Sequence, residues 1–523
     1  MTVLRAVGAV ALRRPAFPLL DVRELGAAAV LAPLSALLAV ALFLRTRDIH
    51  AGFWIDEGLS VGIASHSLLD IPGVLAQDGS PPLYYLLLHV WMQVAGTTEA
   101  ATHSLSLIFA ALAVPAGLWA GWTLFGARAG WICAALATLN PFITLYAQET
   151  RMYTLLVTLS LVAAGAFTHA FAFGRRRYLV LFAGVLTVML YTHNWALFFT
   201  AAAGLAVVPC VLGTSERRAR VRDGVIAFGA AGLLFVPWVP TLVSQVQHTG
   251  APWATAPLAS RLSRDLSFLL GGDAAAIAIL LAAGTGLAAV LARRGSSERT
   301  AVLALVVLAA GTLALGWAVS QISPAWTARY LAVVVGPLLL LAAVGFARAG
   351  RFGIVALALV LVLWVDFRAG DSKSNVREVA TASASRLAPG DVVVSTHPEQ
   401  IPVLRYYLPE GLRYTTPLGP VTDPGVMDWR DALDRLRGQR AQSTLGPLLD
   451  RLPPGRRLLF VRPVTTRGGW NAPWTRLVRQ RSAEWRRVIA MDNRFASDPV
   501  LPLPGYGSQR HPVRAVVYEK VAG

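Results

Sequence analysis

The stretch PPLYYLLLHVWMQVAG, residues 81–96, decides how the rest of the chain threads. It is apolar, sixteen residues long, and opens on a Pro-Pro pair. That is short for a helix crossing a hydrocarbon core of ~30 Å. If it crosses, the arginine clusters downstream fall on the wrong side of the membrane. If it dips into the outer leaflet or lies along it, FGARAG (125–130), GRRR (174–177), SERRARVR (215–222), ARRGSSER (292–299) and ARAGR (347–351) all face one compartment. Short cytoplasmic loops are enriched in Arg and Lys, so the second threading is preferred and that compartment is the cytoplasm.

Working outward, apolar stretches of span length recur from about residue 25 to 367. The composition agrees, with 55% hydrophobic and 15% charged residues, against the ~25% charged of a soluble domain. The first span, about 25–44, follows Arg13, Arg14 and Arg23, which places residues 1–24 in the cytoplasm. With no signal-peptide cleavage pattern, that span is expected to stay as an anchor. The reading is a polytopic α-helical membrane protein with about eleven transmembrane helices plus one juxtamembrane or re-entrant helix. Residues 25–367 form the membrane domain, and the loop 45–80 lies outside.

Beyond Trp364 the chain turns polar and rich in Arg and Pro. Segments 391–395, 456–464 and 513–520 read as strands, so 368–523 is expected to form a small α/β domain on the extracytoplasmic side. The net charge of +18 is carried by scattered loop and tail arginines, with no basic run suited to nucleic acid. Cys133 and Cys210 both fall in apolar segments, which argues against a disulfide framework and against thiol catalysis.

Once the chain is threaded, the polar residues at the outer ends of the helices form one set. FWIDEGLS supplies Asp56 and Glu57, and DGSPPLYY supplies Asp78. YAQETRMY supplies Gln148, Glu149, Arg151 and Tyr153; YTHNW supplies His193 and Asn194; TARYL supplies Arg329 and Tyr330. Ionisable groups beside hydrocarbon are costly and mark function by default. Carboxylates in apolar surroundings suit general-base work, and arginines suit a phosphate held at headgroup height. The combination implies transfer of a group from a lipid phosphate to a nucleophile activated by a carboxylate. Asp56, Glu57 and Glu149 are the candidate catalytic acids; the other eight are candidate substrate contacts. His397 and Glu399 are read as a helix-start turn.

IDEGLS, PPLYYLLLH, YAQETRMY, YTHNW and RYL, in that order, resemble the GT-C membrane glycosyltransferases. The similarity is to the branch related to dolichyl-phosphate-mannose protein mannosyltransferases, and HPEQIPVLRYYL resembles the outer domain of bacterial members. The resemblance implies the GT-C fold, a polyprenyl-phosphate sugar donor, inversion at the sugar's anomeric carbon, and Asp56 as catalytic base. It suggests mannose as the sugar, with arabinofuranose second. The acceptor is expected to be an envelope glycan, glycolipid or protein. Relatives often carry a histidine before the Pro-Pro pair where this chain has Gly79-Ser80, so dependence on a divalent cation (Mg or Mn) stays open. The alternatives are a flippase or transporter of lipid-linked sugars and an inactive scaffold. The first calls for charged residues at mid-membrane depth, which the spans lack, and the second for loss of Asp56.

Overall fold

The computed structural model describes residues 26–365, 367, 373–465, 470–500 and 511–521. The expected cytoplasmic segment 1–24 lies outside the described residues, as do 368–372, where the outer domain was expected to begin. Among the described residues, seven helices are long and apolar enough to cross a membrane: Ala27–Arg45, Glu99–Phe125, Tyr153–Ala172, Arg217–His248, Asp273–Leu291, Ser297–Ile322 and Ala328–Arg348. Five shorter apolar helices accompany them: Leu83–Ala95, Ala127–Leu139, Tyr178–Thr192, Ala196–Leu212 and Gly350–Val365. The protein is a polytopic helical membrane protein.

The threading question has a geometric answer. Near the start of the Leu83–Ala95 helix, the Tyr85 hydroxyl accepts from Arg151 Nη1 at 3.3 Å. Just past its end, the Thr97 carbonyl accepts from the Tyr406 hydroxyl of the polar domain at 2.9 Å. Arg151 in turn bonds the first-loop residue Ser60 at 3.0 Å. The helix therefore begins and ends on the side that carries the polar domain. The turn through Gly96, at φ +91°, reverses the chain into Glu99–Phe125. That longer helix does traverse the bundle. Its first residue, Glu99, pairs with Arg377 of the polar domain at 3.2 Å, and its last carbonyl, of Phe125, accepts from Arg348.

The arginine loops meet at the far end. Arg128 donates to the Gly350 carbonyl at 3.1 Å, Arg348 pairs with Glu298 at 2.6 Å, and Arg176 pairs with Asp223 at 2.8 Å. All five clusters read from the sequence take part in this end of the bundle.

The polar tail folds on a six-stranded mixed sheet. Its strands are β1 (Val392–Ser395), β2 (Arg413–Thr416), β3 (Gly419–Val421), β4 (Arg457–Pro463), β5 (Phe495–Pro499) and β6 (Val513–Lys520), in the order β3-β2-β1-β4-β6-β5. β1 runs parallel to β2 and β4, and the other pairs are antiparallel. Alternation along the strands sorts the side chains between two faces. Val392, Val394, Leu458 and Phe460 pack with Leu445, Leu449, Trp485 and Ile489 on one face. Val393, Leu459 and Val461 join the core that continues into the membrane domain.

That docking runs through the first loop. Helix Ile55–Ala64 carries Gly58 and Gly62 one turn apart, hence on one face. A Cβ at Gly58 would strike the Val403 backbone, and one at Gly62 would strike the Gly425 carbonyl. The bare glycines let the polar domain lie against this helix. Phe53 N–H to Tyr407 (2.8 Å) and His66 to Asp423 (2.7 Å) tie down the two ends of the contact.

Candidate active site

Asp56 and Glu57 are neighbours in the first turn of helix Ile55–Ala64. Successive residues on a helix point ~100° apart, and here they enter opposite environments. Glu57 is fully buried. Its Oε1 accepts from His103 Nε2 (2.7 Å), the Thr150 amide (2.9 Å) and Lys373 Nζ (2.8 Å). Its Oε2 accepts from Lys373 Nζ (3.0 Å) and the Trp54 amide (3.3 Å). Burial pushes the Glu57 pKa up, but the Lys373 and His103 charges and hydrogen bonds outweigh it and hold the carboxyl at about 2. The expected acid pair is therefore not a pair: the Glu57 oxygens are taken up in tying the first loop to Lys373, in the chain that follows the last apolar helix.

Asp56 faces the other way. Its side chain keeps 18% of its surface, and Oδ2 lies 3.4 Å from Arg329 Nη2. Arg151 stands beside it, with Nη1 donating to the Asp56 carbonyl (3.3 Å), Ser60 Oγ (3.0 Å) and Tyr85 (3.3 Å). Arg329 lies over the rings of Trp54 and Tyr330, each at 5.5 Å. Arg151 lies over Tyr153 at 5.7 Å. Among the described residues, the buried Nε of both arginines and the Tyr153 hydroxyl have no hydrogen-bond partner. Buried donors without partners are costly, and a bound anion would satisfy them.

The remaining candidates divide. Asp78 is buried beside Ser80; burial raises its pKa, opposed by the Ser80 hydrogen bond and Arg151 and assisted by Asp56. His193 Nδ1 accepts from the Trp195 amide at 3.1 Å, which leaves the ring proton on Nε2. Burial drives its pKa down to about 3, and Arg151 and Arg329 push the same way. It is thus a neutral N–H donor, its ring packed edge-on to Tyr330 at 4.7 Å. Asn194 donates to the Gly79 carbonyl at 3.0 Å and pins the loop before Pro81.

Gln148 is spent on the backbone, accepting from the Asp48 amide (2.6 Å) and donating to the Thr144 carbonyl (3.1 Å). Glu149 is fully buried in the same turn, next to the Thr150 amide that bonds Glu57. The structure thus brings together Asp56, Asp78, Arg151, Tyr153, His193, Arg329 and Tyr330.

Sequence reading missed the residues that complete this surface. Trp54 carries Arg329 on its ring and stacks on His511 of the polar domain (5.6 Å, interplanar 7°). His397 pairs with Glu399 and packs against Trp470 at 5.4 Å and His511 at 6.4 Å. Burial lowers the His511 pKa to about 4, chiefly by desolvation and then by His397. Nothing local in the sequence brings His511 to Trp54. Lys373 did carry a signal: it is one of only two lysines among 47 basic residues. Both lysines are buried.

Among the described residues, no three His, Cys, Asp or Glu side chains converge. Asp56 and Asp78 share their surroundings with two guanidinium groups, which already supply the positive charge.

In overall structure the chain is similar to ArnT from Cupriavidus metallidurans bound to undecaprenyl phosphate, with TM-score 0.61 and 14% identity over 95% of this chain and 99% of that one. The chain has the GT-C fold. Two further GT-C structures agree: the arabinofuranosyltransferase AftD from Mycobacteria (TM-score 0.51, 15% identity, 94% of this chain and 40% of that one) and the oligosaccharyltransferase AglB from Archaeoglobus fulgidus (0.52, 9%, 82% and 69%). No protein-family model matches the chain, and no curated protein does. In this fold, Asp56 lies after the first span, on the side of the bundle that bears the polar domain.

Proposed function

We propose that the protein is an inverting glycosyltransferase that takes its sugar from a polyprenyl-phosphate donor on the extracytoplasmic face. One observation carries this: a partly open carboxylate, Asp56, set 3.4 Å from Arg329 with Arg151 beside it. A base and an anion receiver are what transfer from a sugar phosphate needs. The GT-C neighbours give independent support, since ArnT is described bound to undecaprenyl phosphate and AglB in complex with a dolichol-phosphate.

The chemistry follows from charge. The acceptor hydroxyl attacks the anomeric carbon and gives its proton to Asp56. The bond from that carbon to the phosphate oxygen breaks, and the electron pair leaves with the polyprenyl phosphate. Negative charge grows on the phosphate, and Arg329, Arg151 and the His193 Nε2–H are positioned to receive it. Base catalysis of this kind supplies ~10²–10⁴ in rate. Asp78 holds the first loop near Arg151 and is a candidate sugar contact. The Trp54 ring, stacked on His511 of the polar domain, would face the acceptor.

The test is transfer by purified protein in lipid nanodiscs with labelled polyprenyl-phosphate mannose and polyprenyl-phosphate arabinofuranose. Envelope glycan, glycolipid and protein fractions serve as acceptors, with and without EDTA. Transfer from one donor, insensitive to EDTA and giving the inverted anomer, is the expected result. Retention of anomeric configuration, or loss of transfer on chelation, would overturn the mechanism.

A further inference from the structure

At the opposite end of the bundle from Asp56, loop 174–177, loop 213–216 and the first turns of the helix Arg217–Phe235 enclose a crevice of about 670 Å³ lined by Gly174, Arg176, Arg217, Arg218, Arg220 and Arg222, with Glu216 at its rim. Five arginines line one recess, and the acids in reach neutralise only part of them. Asp223 beneath the wall pairs with Arg176 (2.8 Å) and, more distantly, with Arg222 (3.7 Å), and Glu216 reaches Arg220 at only 3.9 Å. Among the described residues Arg217 and Arg218 make no ion pair.

Arg220 gives the recess a fixed floor. It is 92% buried, and its Nε has no hydrogen-bond partner among the described residues. Its guanidinium lies so close to Gly174 that a Cβ there would overlap it. A buried guanidinium with an idle donor is costly unless an anion completes it. Solvation alone would suit arginines spread over a loop surface, but it does not account for this one.

The surroundings indicate what the anion is attached to. Val221, Val225, Ile226 and Val180 lie beside the arginines and are 52%, 69%, 52% and 81% exposed. They form an apolar wall where a helix that begins in arginines enters the bilayer. A ligand with its charge in the crevice would lay hydrocarbon along that wall. We propose that this crevice binds the phosphate headgroup of an anionic phospholipid, with Arg220 at its floor and Arg217 and Arg218 closing over it. Basic pockets between spans on the cytoplasmic side are suited to such headgroups. Arginine's planar fork matches phosphate oxygens in pairs.

The experiment is native mass spectrometry of the detergent-purified full chain, titrated separately with cardiolipin, phosphatidylcholine and inorganic pyrophosphate. The variants are Arg217→Gln/Arg218→Gln and, as a charge-matched control in the polar domain, Arg451→Gln/Arg487→Gln. No turnover is read, so the outcome is independent of the proposed glycosyl transfer. The expected result is cardiolipin retained by the wild type and the control, weakened tenfold or more in the crevice variant, with phosphatidylcholine not retained. Pyrophosphate binding that is lost in the crevice variant, with cardiolipin unaffected, would keep the anion site but overturn its assignment to a lipid. Equal cardiolipin binding by all three proteins would overturn the proposal.

Discussion

The division of labour between Asp56 and Glu57 makes opposite predictions for two adjacent acids. Glu57→Gln keeps the shape but removes the charge that Lys373 and His103 face in a buried site. Breaking a buried pair costs ~3–5 kcal/mol, so the variant should unfold at lower temperature while its folded fraction transfers sugar at near the wild-type kcat. A drop in kcat with an unchanged melting temperature would return Glu57 to the catalytic set. The pH dependence has a definite sign. Glu57 is held at about 2, below its ordinary value of 4.5, so its contribution to stability is present above pH 4.5 and is lost as pH falls toward 2. Arg329→Gln should lower kcat by ~10²–10³ as the charge on the leaving phosphate goes unmet. Arg329→Lys should recover little, because an ammonium lacks the fork and the flat face that lies on Trp54. His193, held neutral down to about pH 3, should add no limb near pH 6.5 to the pH–rate profile. The sequence made the position of Asp56, after the first span, legible through its motif. It left the buried contacts of Glu57 hidden, because adjacency does not say which way a side chain points, and its partner Lys373 is 316 residues away.

At the scale of elements, helix Ile55–Ala64 both presents Asp56 and receives the polar domain on Gly58 and Gly62. Gly62→Leu should force the Gly425 strap off this face. The expected outcome is new protease cleavage in the polar domain and a raised KM for the acceptor, with donor affinity changed less. An unaltered digestion pattern would contradict the docking role. The turn before Glu99 is equally decisive, because it lets 83–95 return to its own side. That stretch was legible as short for a span, and the arginine loops downstream favoured the threading in which it does not cross, without settling it. Strands β1, β4 and β6 were legible as runs of Val, Leu and Phe. β2, β3 and β5 were not: RYTT, GPV and FASDP are short, and β3 and β5, at the sheet edges, contain proline and have little buried surface to reveal them.

For the whole molecule, the account is a bundle with two chemically distinct ends. Acidic and aromatic loops gather under a folded domain at one, and arginine loops gather at the other. A cysteine placed at the exposed Thr97 should react with an impermeant maleimide from the extracytoplasmic side of sealed cells, since the native Cys133 and Cys210 are buried. Labelling only after the cytoplasmic side is opened would invert the threading. The GT-C fold was legible from ordered motifs although identity to solved members is 9–15%. The contribution of His511 and Trp470 was not legible, since it depends on how the polar domain seats. The most direct measurement is single-turnover transfer by Asp56→Asn beside the wild type, with donor binding measured on the same samples. The account predicts donor affinity close to wild type and a transfer rate lower by ~10² or more. Transfer at the wild-type rate would remove Asp56 as the base and with it the proposed reaction geometry.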